Sequence, residues 1–219
     1  MAYAVCDKAL ELDPKLAEAH LARGYAFGIG RRYEEANAAF EEALRLEPKL
    51  VDAHHFYGRS LLQQGKFAEA AERFREAYRL RPEGYQDLSF LAQALETIAT
   101  PEEVREAREA ATLAVERHLE FHPDDARALN IGAVHAAQAG RLEKGLEWMR
   151  RSLATSPEDS NLLYNAACFF AIQGQIDEAL ECLGKAVDNG WQAKDWLAHD
   201  PDLDALRQDP RFQAIVDRM

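Results

Sequence analysis

Apolar positions recur along this 219-residue chain in one short pattern. A small residue is followed four places later by a larger apolar one, and three places after that by a third. The triplets are Ala36/Phe40/Ala43, Ala70/Phe74/Ala77, Gly145/Met149/Ser152 and Ala179/Leu183/Ala186. Spacings of four and three lie on one face of an α-helix, and small residues there let a neighbouring helix approach closely. A second set of stripes predicts the partner helices. Examples are His54/Tyr57/Gly58/Leu61, Leu88/Leu91/Ala92/Leu95 and Leu163/Ala166/Ala167/Phe170. Short turns such as QQGKF, QAGRL and IQGQI separate the two kinds of helix, and Gly65, Gly140 and Gly174 in them suit a helix C-terminal cap. No stretch sustains the period-two alternation of a strand, so the pattern predicts an all-α chain.

Prolines set the larger period. Pro14, Pro48 and Pro82 are 34 residues apart, Pro82 to Pro123 is 41, and Pro123 to Pro157 is again 34. Each ends a similar phrase, such as ALELDP or ALRLEP, and marks a stop, because proline cannot continue a helix.

The 34-residue period, the triplet, the Gly or Ala of the first helix and the closing proline together resemble the tetratricopeptide repeat (TPR) family. The resemblance implies an α-solenoid of antiparallel helix pairs wound into a right-handed superhelix. It divides residues 1–193 into a half repeat, 1–16, and repeats at 17–50, 51–84, 85–125, 126–159 and 160–193. Residues 194–219 then form a C-terminal helical cap, with Asp209-Pro210 as a helix start and Phe212, Ile215 and Val216 as its apolar stripe. The first helices depart from the family in carrying His20, His54, Leu88, Leu129 and Leu163 where Trp is frequent, and Arg23 where Leu is usual. The unit at 85–125 holds seven extra residues; Thr100-Pro101-Glu102-Glu103 reads as an N-cap and first turn, starting a helix that runs to Phe121 and overhangs its partner. The tail, with Trp196-Leu197, Asp200-Pro201-Asp202-Leu203 and Asp209-Pro210-Arg211-Phe212, is similar to tails that follow TPR arrays in bacterial regulatory proteins.

Composition narrows the partners. With 26 Lys+Arg against 38 Asp+Glu, the formal charge is −12. Such a field repels phosphates, which argues against nucleic acid and against an anionic membrane surface. The longest apolar run, 166–172, falls far short of the ~18 residues of a membrane span. The start, MAYAVCDKALELDP, lacks the basic and apolar regions of a secretory signal. Cys6, Cys168 and Cys182 are odd in number and form no C-x-x-C pair, which points to reduced thiols in a cytoplasm.

Candidate chemistry is sparse. His118 and His122 are one helical turn apart and could chelate zinc, but each has an ordinary place in the repeat, one where a small buried residue is usual and one before the stop Pro123, and reads as a packed or partly exposed histidine. His54-His55 reads as one inward and one groove residue. Cys168 falls on the groove face with nothing basic beside it in sequence. Gly24, Gly28 and Gly30 follow no strand and precede no Lys-Ser/Thr, so they are no phosphate loop. No catalytic constellation, cofactor or metal site emerges, and the expectation is a protein that is not an enzyme.

The resemblance also implies a concave groove lined by places two, five, nine and twelve of each first helix. Tyr25, His55, Arg59, Gln93, Arg127, Asn130, Asn161 and Tyr164 stand at such places. Amides there can bond a peptide backbone, and arginines can pair a carboxylate. The places of the chaperone-binding carboxylate clamp hold Leu21, Tyr25, Phe56, Gln86 and Phe90, so that clamp is absent. The expected function is therefore a protein- or peptide-binding scaffold or regulatory module. Its alternative is the regulatory end of a larger bacterial signalling enzyme, a serine/threonine kinase or nucleotide cyclase. The N-terminal half repeat leaves Val5 and Leu10 beside an unpartnered face, so a homo-oligomer or a longer parent chain is expected through that end.

Overall fold

The computed structural model of the protein describes residues 2–192, 194–197 and 200–219. Among them every regular element is a helix, and successive helices pair as an all-α helical repeat fold. The chain divides into two compact units, Met1–Ala114 and Val115–Met219.

The first unit holds α1 (Ala2–Leu12), α2 (Ala17–Ile29), α3 (Tyr33–Leu46), α4 (Val51–Gln63), α5 (Phe67–Leu80), α6 (Tyr85–Ile98) and the first part of α7 (Pro101–Phe121). Helices α2 and α3 pair, as do α4 and α5, and α6 packs on α5. The triplets explain the pairing: Ala36, Phe40, Ala43, Ala70, Phe74 and Ala77 are all essentially inaccessible. Burying each phenylalanine contributes roughly 1.5–3 kcal/mol. A glycine opposite makes the space, since a Cβ on Gly58 would lie 2.8 Å from the Phe74 ring. The Nε2–H of His54 donates to the carbonyl of Pro48 at 2.9 Å, and that of His20 donates to Pro14 at the same distance one repeat earlier. A histidine at the family's tryptophan place thus ties the first helix back to the stop proline. In α1, Cys6 is buried while Val5 and Leu12 are exposed; the side chain of Ala2 lies outside the described residues.

The second unit holds the end of α7, α8 (Ala126–Gln138), α9 (Leu142–Thr155), α10 (Ser160–Ile172), α11 (Ile176–Asp188), α12 (Lys194–Leu197), a 3-10 turn (Pro201–Leu206) and α13 (Pro210–Val216). Helix α8 pairs with α9 and α10 with α11. Met149, Ser152, Leu183 and Ala186 have no exposed surface. At Gly145 the helices approach so closely that a Cβ would sit 2.8 Å from the Ala133 carbonyl oxygen. Asp125 and Asp159 cap α8 and α10 through their first-turn amides. The tail covers the last pair: the 3-10 turn lies on α10 and α13 on α11, burying Leu197, Leu203, Leu206, Phe212 and Ile215. Val216 is half-buried, and the Trp196 side chain lies outside the described residues.

Turn glycines adopt left-handed backbone, with φ of 73° at Gly65, 88° at Gly140 and 72° at Gly174. In the first turn Gly30 stands one residue early and Arg31 takes that conformation instead, at φ 56°. The long α7 opens with a reciprocal capping box: the Thr100 amide donates to Glu103 at 2.8 Å and the Glu103 amide to the Thr100 hydroxyl at 3.3 Å. Along it, Val104 and Ala111 are buried and Ala107 is half-buried.

Candidate functional site

In the first unit, helices α2, α4 and α6 lie in sequence along one face, and place nine of one first helix meets place six of the next. Tyr25, 45% exposed, sets its ring 4.9 Å from Phe56. Arg59, half-buried, holds its guanidinium 5.7 Å from the Phe56 ring centre and 5.5 Å from that of Phe90. Phe90 in turn stacks on the core ring of Phe74 at 5.3 Å. Gln93 is exposed and makes no hydrogen bond among the described residues. Tyr25, Phe56, Arg59 and Phe90 therefore form a ladder of rings around one cation, flanked by Gln93.

His55 is not part of that open surface. It is buried, and its Nδ1–H donates to Asp87 on α6 at 2.7 Å. Rings of Phe56, Phe74 and Phe90 surround it edge-on. Asn130, at the same place of α8, is only 1% exposed. Its amide donates to the Leu162 carbonyl at 3.3 Å, and its oxygen accepts from Asn165 at 3.2 Å, both on α10. Tyr164, at the same place of α10, is buried too. Its ring stacks on Trp191 at 4.1 Å, and its hydroxyl donates to the Asp200 carboxylate. The expectation that His55, Asn130 and Tyr164 face a groove is corrected. Place five in each of these helices bonds the element that follows in the stack, because the spacing of first helices brings that place against its neighbour. Arg127 and Asn161, at place two, are exposed as the register requires.

Cys168 is also covered. It lies 3.7 Å from Asp200, and burial, assisted by that carboxylate, pushes its thiol up to about 12. Burial likewise pushes the Cys182 thiol up to about 11. Neither is poised as a nucleophile. Cys168, Asp200 and Asp202 bring one ligand atom each within 4.8 Å of one another. Asp200 spends both oxygens, one on Tyr164 and Cys168 and one on the Asp202 amide, leaving little to offer an ion.

His118 and His122 stand with ring centres 4.7 Å apart beside a hollow of about 510 Å³ lined also by Pro123, Asp124 and Asp125. His118 is half-buried, and its Nε2–H donates to Asp125 at 2.8 Å. Burial raises the Asp125 carboxyl, but the Ala128 amide and His118 outweigh it and hold the group below the usual carboxylate range. The same aspartate caps α8, so the pair serves the helix start.

The rings that hold Arg59 lie outside places two, five, nine and twelve, at places that the chaperone-binding clamp would use. Phe56 and Phe90 sit at place six, one position off the register. Their own recurrence at a spacing of 34 was the available signal.

No helix among the described residues is long and apolar enough to cross a membrane. Tetratricopeptide repeat family models match residues 21–85, 57–97, 102–160 and 160–189, well over half of the chain. A similar solved structure is TTC0263, a TPR protein of Thermus thermophilus. It is 19% identical with a TM-score of 0.69, and the match covers 91% of this chain and 98% of that one. Another is YrrB, described as a TPR protein with an unusual peptide-binding site. It is 23% identical with a TM-score of 0.55, over 84% of this chain and 92% of that one. At these identities the likeness is one of fold. A chloroplast protein of Arabidopsis thaliana is 30% identical over 80 residues. The match takes in 35% of this chain and spans about a quarter of that relative, 24% of its length. The chain belongs to the tetratricopeptide repeat family, whose fold is in general a scaffold for protein–protein interaction.

Proposed function

We propose that the protein is a non-catalytic peptide-binding scaffold whose working surface is the open face of α2, α4 and α6. The observation that carries this reading is the ladder of Tyr25, Phe56, Arg59 and Phe90 with Gln93 beside it. One exposed ring, Tyr25, and two half-buried ones, Phe56 and Phe90, reach the surface there at little conformational cost, and an amide stands ready for a peptide backbone. Elsewhere the polar groups of the first helices are mostly spent on their own neighbours, as at His55, Asn130 and Tyr164. Arg127 and Asn161 stay exposed on the second unit. The thiols of Cys6, Cys168 and Cys182, all unpaired and buried, fit a reducing compartment such as a bacterial cytoplasm.

The test is selection of a random peptide library on the intact chain, followed by titration of the winning peptides. Tyr25→Ala and Gln93→Ala should each weaken binding, with the tyrosine costing about 2 kcal/mol. Helicity should be unchanged. Winners indifferent to both substitutions would move the binding surface away from this face.

A further inference from the structure

We infer that Arg59 reads a carboxylate, so that the face of α2, α4 and α6 takes a peptide segment presenting one acidic group beside an aromatic or large aliphatic side chain. The inference presupposes that this face binds peptide, and names what it selects.

Charge pairing around Arg59 points to the missing partner. Helices α4 and α6 carry three acids, Asp52, Asp87 and Glu96. Asp52 lies 3.4 Å from Arg81, Asp87 bonds His55 at 2.7 Å, and Glu96 lies 2.9 Å from Arg108. Each is committed. Arg59 makes no hydrogen bond or ion pair among the described residues. It is a cation without a counter-charge in a chain of net charge −12, where a nearby acid would have been easy to supply.

Its setting strengthens any partner it acquires. Phe56 and Phe90 hold the guanidinium within 6 Å of their ring centres and exclude water from its sides. A stacked, half-buried arginine loses less rotamer freedom on pairing, and its planar fork of donors matches a carboxylate bidentately. The Tyr25–Phe56 step beside it supplies the apolar footing. That combination selects a ligand with a carboxylate and a large apolar side chain in adjacent positions. The negative field of the whole chain sets a further condition: the ligand should be near neutral overall, with its acid used at short range.

The experiment uses the intact chain and N-acetylated, C-amidated peptides, so that no terminal charge intervenes. Peptides selected on the parent chain should share an Asp or Glu next to an aromatic or aliphatic residue. Replacing that acid by its amide should weaken binding at least about tenfold. On Arg59→Gln, checked for an unchanged melting curve, the acid and the amide forms should bind alike. Three outcomes would overturn the inference. Selected peptides that need Tyr25 but carry no acid would leave the peptide-binding face standing without its carboxylate. An acid-to-amide ratio unchanged by Arg59→Gln would assign the acid to another residue. No enrichment on the parent chain would remove the peptide-binding reading itself.

Discussion

Helices α4 and α10 occupy the same position in their repeats and present their faces differently. In both, place five is tied down, His55 to Asp87 and Tyr164 to Asp200. Place nine separates them. On α4 it is Arg59, half-buried against two rings but reaching the surface. On α10 it is Cys168, closed beneath the tail next to Asp200. The register of a repeat therefore says which residues share a face. Whether that face is open depends on what the chain lays over it.

The largest test of this contrast is stability. Trp191→Ala strips the ring stacked on Tyr164 and should cost about 3 kcal/mol. Tyr25→Ala, an exposed ring, should cost under about 0.5 kcal/mol. Urea midpoints measure both; equal losses would mean that the two faces are equally closed.

Next in size is the split between places two and five within one helix. Asn130→Ala leaves the Leu162 carbonyl and the Asn165 amide without their partner and should destabilise by about 2 kcal/mol. Arg127→Ala, three residues earlier on α8 and exposed, should change almost nothing. If Arg127 proves the costlier loss, place five is not the structural link.

A third test reads the cover over α10 chemically. With its thiol pushed up to about 12, Cys168 should alkylate at pH 8 at least about tenfold more slowly than an ordinary free cysteine. Trp191→Ala should speed it. Fast alkylation in the parent chain would show that the tail does not close this face.

The smallest effect is on pH. Burial pushes the His54 imidazole below its ordinary value of 6.5, against the pull of the Pro48 carbonyl. Its unfolded form then takes up a proton first as pH falls. The stability contribution is intact above about 6.5 and declines below it. Leu129 and Leu163 hold this place in the second unit and do not titrate. Melting temperatures between pH 7.5 and 5.5 should fall more in the parent chain than in His54→Leu.

Much of the fold was legible because its forces are local and repeat. The triplets mark the buried stripe, the prolines mark the stops, and Gly65, Gly140 and Gly174 mark the left-handed turns. Thr100-Pro101-Glu102-Glu103 announced the start of α7, and the capping box is there. Arg31 escaped, because the left-handed place of that turn holds no glycine and Gly30 stands one residue early. The candidate site was legible only in part. Tyr25, Gln93, Arg127 and Asn161 are exposed and Arg59 is half-buried, while His55, Asn130 and Tyr164 are turned to internal work.

By itself the sequence determined the helices, their pairing and the family, since these follow from spacings of three, four and 34 residues that recur along residues 1–193, with one interval of 41. The tertiary structure alone decided which polar groups remain unspent. A hydrogen bond from Tyr164 to Asp200 spans 36 residues, and the pairing of His55 with Asp87 spans 32. No local period records such contacts. They form only when neighbouring first helices, or the tail in their place, come within bonding distance, and among the groups they leave unspent is Arg59, half-buried between its two rings.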